Sequence, residues 1–139
     1  MTVSGQLIGT MILKAIYNMI TVYNRTNETH TGPNNYQIFR GGDTSILSNP
    51  YTDIKDRTTK ALYVVKDRDE AIERYSQYFD MMYSGNIRFK EVVDEIYEKW
   101  RRGEDIYLEC YCKPKRCHGD IIVEKLQKRF IRENFKKFG

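Results

Sequence analysis

Asp105-Ile-Tyr-Leu-Glu-Cys110-Tyr-Cys-Lys-Pro-Lys-Arg-Cys117-His-Gly-Asp120 is the stretch that decides the fold. Ile106 to Tyr111 reads as a strand, and Pro114 stops any continuation. From Gly119-Asp120 onward, Ile122, Leu126 and Phe130 recur at helical spacing. A strand that turns into an amphipathic helix is the second half of a β–α–β arrangement. An α/β fold is therefore expected, with this late strand central and lying parallel beside the first.

Upstream, Phe89, Val92, Val93, Ile96, Tyr97 and Trp100 mark one helical face and predict a helix over residues 86–102, stopped by Gly103. Before it, Ala71, Ile72, Tyr75, Phe79 and Met82 form another such face. Asp67 is its N-cap, Glu70 completes a capping box, and Gly85 ends it. Met19 to Asn24 and Tyr36 to Arg40 read as strands that could pair as a hairpin across the Gly32-Pro33-Asn34-Asn35 turn. Ala61 to Val65 is a short strand or an extended approach to the next helix. The run from Gly41 to Tyr51 is a long loop, of the kind that usually carries function. Residues 1–18 read as an N-terminal extension or peripheral segment. Residues 19–139 read as a single small domain with a mixed sheet and about three packing helices.

The chain has 139 residues, enough for one buried core. Its net charge of +4 is unevenly spread: from Lys113 onward nine Lys or Arg face three acids, so that segment is +6 and the remainder −2. A basic final third suits a phosphate-bearing partner, although a solvated helix face has the same composition. Gly9, Lys14 and Asn18 interrupt the apolar run from Leu7 to Ile20, which is too short to span a bilayer. No targeting signal is read there, and no membrane association is expected. Three clustered cysteines, an odd number, point to a reduced cytoplasmic setting rather than a disulfide framework.

All three cysteines and one of the two histidines lie within the nine positions from Cys110 to His118. Cys110, Cys112, Cys117 and His118 make a candidate Cys3His zinc set, although adjacent Cys and His ligands are awkward. Cys117, at a helix start beside Arg116 and His118, is a candidate nucleophile or redox thiol, with His118 as the acid–base group. The turn itself could cradle an anion, with charge from Lys113, Lys115 and Arg116 and N–H donors around Gly119-Asp120. Cysteines packed as small apolar groups around a capping His118 are the bland alternative. No Walker or dinucleotide motif is present. In the early loop, Arg40-Gly41-Gly42 would let a ligand approach the backbone, and Asn49-Pro50 is a rigid turn whose Asn could read a ligand edge. Arg68 and Glu73 read as surface charges.

Arg40-Gly41-Gly42, Ser48-Asn49-Pro50-Tyr51, Arg68-Asp69-Glu70, Tyr75 and the Cys110–Asp120 ending, in this order, resemble the domain of unknown function 4326 family of uncharacterised phage and bacterial proteins. The resemblance covers roughly Met19 to Leu126, with Ser48 in place of the family's usual Gly and Tyr111 in place of its frequent Trp. It implies a small α/β fold, and a host-cell cytosolic setting if the protein is phage-encoded. It implies no activity. The expected function is binding of a nucleotide, nucleoside or other phosphate-bearing ligand, with chemistry on that ligand left open. Residues 40, 49, 112, 117 and 118 would surround it, with Lys113 and Arg116 at the rim. The alternatives are a non-enzymatic accessory protein that binds a host protein or sequesters a signalling nucleotide, and a nucleic-acid-binding module that uses the basic final helix.

Overall fold

The computed structural model describes residues 20–54 and 62–135. The N-terminal extension, Met19, Ala61 and residues 136–139 lie outside them. Three strands form the main sheet: β1 (Ile20–Asn24), β2 (Asn35–Gln37) and β5 (Ile106–Cys110), in the order β1-β5-β2. β3 (Tyr51–Thr52) and β4 (Tyr63–Val64) pair as a separate small sheet. The helices are α1 (Arg68–Gly85), α2 (Ile87–Arg101) and α3 (His118–Phe135). The class is the expected one: α/β, with the late strand central and three packing helices.

Among the described residues every strand pairing is parallel. The hairpin between the first two strands therefore does not form, and the sheet is not mixed. β5 lies between β1 and β2, with Leu108 opposite Val22 on one side and Tyr36 on the other. β5 wins this place because Ile106, Leu108 and Cys110 are at most 1% exposed. A strand with that much apolar surface is most stable hydrogen-bonded on both edges beneath the helices.

The local signals hold at the helix ends. Asp67 Oδ1 accepts the Glu70 N–H at 2.8 Å, while the Glu70 carboxylate takes the N–H of Lys66 rather than that of Asp67. Asn86 caps α2 by accepting the Phe89 N–H at 2.9 Å. Gly103 follows α2 at a φ of 99°, where a side chain would be strained. α1 packs on α2 and α3. Phe79, Phe89, Tyr97, Trp100 and Phe130 fill the space between these helices and the sheet.

Alternate residues of β5 point to the sheet's other face, and there the packing is polar. Glu109 is 5% exposed. Its carboxylate accepts Tyr23 Oη–H at 2.8 Å, Asn35 Nδ2 at 3.0 Å and Gln37 Nε2 at 3.4 Å, and Arg25 Nε lies 3.3 Å away. Beside it, Tyr107 stacks on His30 at 3.8 Å.

The glycine pair after β2 is required by the chain's own backbone. Gly41 has a φ of 88°. A Cβ on Gly42 would stand 2.6 Å from the Gln37 carbonyl oxygen, so the chain folds back on its own backbone there.

Candidate functional site

The carboxyl ends of β2 and β5, the start of α3, the Asn49–Ile54 segment and the start of α1 converge on one cavity of about 200 Å³. Open parallel sheets commonly bind ligands at this edge. Its polar lining includes Arg40, Asn49, Arg68, Cys110, Cys112, Cys117 and His118, and Phe39, Tyr51 and Tyr111 add aromatic walls.

The β5–α3 loop is held from both sides. Asn24 Nδ2 donates to the carbonyls of Tyr111 and Lys113 at 3.1 and 2.8 Å. Asp120 Oδ2 accepts the Cys117 N–H at 3.0 Å, closing the helix start in the way an N3 acid does. Its other oxygen pairs with Lys113 Nζ at 2.6 Å. The charge of Lys113 is thereby offset within the loop, and Arg116 is exposed. A Cβ on Gly119 would meet Val22 Cγ1 at 2.8 Å, so this glycine lets α3 begin directly against the sheet.

Of the expected site residues, Arg40, Asn49, Cys110, Cys112, Cys117 and His118 line the cavity, whereas Gly41, Gly42, Pro50, Lys113, Arg116, Gly119 and Asp120 do not. Asn49 lies within it, but its side chain is engaged by the fold. Its Nδ2 donates to the Ala71 carbonyl at 3.1 Å, and its Oδ1 accepts the Tyr51 N–H at 2.9 Å. Arg68, read from the sequence as a surface charge, lines the cavity and donates to the Arg116 carbonyl at 3.4 Å. It opens α1, and the one signal for it was its place in the Arg68-Asp69-Glu70 element of the family pattern.

His118 is buried, and its Nε2 lies 2.9 Å from the Ile38 carbonyl. A carbonyl can only accept, so Nε2 carries the proton. Burial brings the imidazole pKa down from 6.5 to about 4, which keeps it neutral at physiological pH. An unfolded chain would bind a proton at His118 between pH 6.5 and 4 while the native chain would not. Stability from this group is thus complete above pH 6.5 and falls as pH drops toward 4. Denaturant titrations at pH 7.5 and 4.5 should show His118→Gln losing less stability than the wild type, by about 2 kcal/mol.

The three sulfurs are unequal. Cys117 is 2% exposed and its Sγ lies 3.8 Å from Cys110 Sγ. The hydrogen bond to Cys110, together with burial, pushes its own pKa far up. The neighbouring Cys117, joined by the guanidiniums of Arg68 and Arg40, brings the Cys112 thiol down to about 6. Cys110 shifts downward through its bond to Cys117 and the N–H groups of Lys113 and Cys112. Cys117 has a single S–H and can stabilise one thiolate at a time. The two guanidiniums favour Cys112, the most exposed of the three cysteines. Burial and the neighbouring thiols favour the neutral S–H form of Cys117, and the guanidiniums favour the anionic form of Cys112.

The Cys3His zinc set is not assembled. His118 gives its Nε2 to the Ile38 carbonyl, and among the described residues no group of three or more His, Cys, Asp or Glu side chains is arranged to hold a metal ion. The basic residues of α3 are largely paired: Lys125 with Asp80, Lys128 with Glu124, and Arg129 with Asp94 and Glu133. No helix among the described residues is long and apolar enough to cross a membrane.

The sequence profile of the family described as Domain of unknown function (DUF4326) matches residues 22–128. No curated protein and no solved structure matches the chain.

Proposed function

Because the chain belongs to the domain of unknown function 4326 family, whose name carries no activity, we propose a function from the cavity alone: it binds a nucleotide, nucleoside or other phosphate-bearing ligand. One observation carries this reading. Arg40 and Arg68 both line the cavity, yet among the described residues neither has a carboxylate within ion-pair distance, whereas Lys113, Lys125 and Arg129 each do. Burial lowers the pKa of Arg40, and its charge is offset by the neighbouring Cys112 sulfur rather than by a carboxylate. A bound phosphate would supply the missing charge, in the planar two-oxygen geometry that guanidinium groups favour. The aromatic walls of Phe39, Tyr51 and Tyr111 suit a planar base or ring beside that phosphate.

Calorimetric titration against phosphate, nucleosides and nucleoside mono-, di- and triphosphates tests this. Phosphorylated members should bind at least about tenfold more tightly than the matching nucleosides. Arg68→Gln should remove most of that difference without unfolding the chain, because the side chain's hydrogen bond within the protein is a long one of 3.4 Å. Folded protein that binds no member of the panel would overturn the reading.

A further inference from the structure

We propose that Arg25 is a positioning residue of this cavity. It holds Phe39 and Tyr111 as a fixed aromatic wall, which selects phosphorylated ligands that carry a planar base over sugar phosphates that carry none. The inference rests on the phosphate-ligand reading of the cavity and names what the rest of the ligand must be. Tyr111 is 55% exposed, yet it is tied at both ends. Asn24 Nδ2 donates to its carbonyl at 3.1 Å, and Arg25 Nη1 donates to its hydroxyl oxygen at 3.0 Å. Its ring meets Phe39 edge to face, with centroids 4.9 Å apart and planes at 71°. The Arg25 guanidinium lies over both rings, 5.0 Å from the Phe39 centroid and 5.3 Å from that of Tyr111. Phe39 and Tyr111 line the cavity, whereas Arg25 lines the polar hollow around Glu109 and so braces the wall from outside.

Arg25 is itself fixed. Its N–H donates to the Cys110 carbonyl at 3.0 Å, and its Nε lies 3.3 Å from the carboxylate of the buried Glu109. The contacts therefore run from a buried carboxylate, through one guanidinium, to an exposed ring. A free surface tyrosine loses side-chain freedom when a ligand stacks on it, and that ordering weakens binding. Here the ring is ordered before the ligand arrives, and the cation over it adds to the attraction that holds it. A base has a flat π-face to lay against such a wall, and a sugar has none. Tyr51, the third aromatic of the lining, is already stacked on Tyr63 at 5.3 Å and edge-on to Tyr78, so its ring is engaged by the fold. Arg40 and Arg68 line the same cavity, so one ligand can meet both the wall and the guanidiniums.

Ribose 5-phosphate is a nucleoside monophosphate with a hydroxyl in place of its base, so calorimetric comparison of the two isolates the wall. The wild type should bind the best-bound common nucleoside 5′-monophosphate at least about tenfold more tightly than ribose 5-phosphate. Arg25→Lys keeps a cation beside Glu109 but lacks the planar fork that also reaches Tyr111. It should bring the ratio below about threefold and leave the ribose 5-phosphate affinity unchanged. Tyr111→Ala should do the same without removing either partner of the Arg25–Glu109 pair. Tyr111→Phe keeps the ring, loses only the tether, and should give a ratio between the two. A merely structural Arg25 would weaken both ligands alike. That result, or the full wild-type ratio in any of these variants, would overturn the proposal. Equal binding of nucleotide and ribose 5-phosphate by the wild type would also overturn it, while leaving the phosphate reading intact. Folded protein that binds no phosphorylated compound would overturn both.

Discussion

Truncating Leu108 to alanine should lower the unfolding free energy by about 3–5 kcal/mol, read as a fall in the urea midpoint at unchanged slope. Leu108 is fully buried at the centre of β5, opposite Val22 and Tyr36 in the flanking strands. It belongs to the same buried cluster as Ile38, Leu47, Ile96 and Ile122, which come from four other segments. β5 joins the other two strands, and a cavity beneath it cannot close by moving one edge strand inward. A loss under about 1 kcal/mol would mean that the helices collapse onto the gap, and that the core is less tightly specified than its burial suggests.

The adjacent residue predicts a loss of comparable size for the opposite reason. Glu109→Ala should cost about 2–4 kcal/mol, because the Asn35 amide and the Arg25 guanidinium lose their acceptor and the Tyr23 hydroxyl keeps only Asn35 Oδ1. Arg25 can turn toward solvent, which keeps the cost below that of a fully enclosed ion pair. Glu109→Gln retains an oxygen for Tyr23 but loses the charge, and should cost about half as much. The burial of Tyr23 and its hydrogen bond to Glu109 raise the tyrosine pKa to about 12. In the Glu109→Gln variant, ultraviolet titration should find that pKa lower. An unmoved tyrosine and an unchanged midpoint would show that this network is solvated and carries no stability.

The helices were legible because their signals are local. Asp67, Asn86 and Gly103 act within one turn of the helix ends they define, and the apolar spacing of α2 is read from consecutive residues. The β5–α3 unit was legible for the same reason, and its central place followed from its apolar strand. The separation of β1 from β2 was not legible, because a turn-like segment between two strands permits a hairpin but cannot show that a third strand, some seventy residues later, lies between them. Glu109 escaped notice for a similar reason, since its partner Tyr23 is 86 residues away.

The sequence by itself determined the class of fold, the central late strand, the helix boundaries and the family, and it drew attention to the Cys110–Asp120 loop. Tertiary structure alone decided what each residue of the site does. It brought Arg40 and Arg68 from separate elements to one cavity, turned His118 onto the Ile38 carbonyl, engaged Asn49 with α1, and buried Cys117 against Cys110 while leaving Cys112 partly exposed. The physical reason is that helix capping and apolar periodicity depend on chain neighbours. A pKa, an ion pair or an exposed sulfur depends instead on groups brought together only by folding.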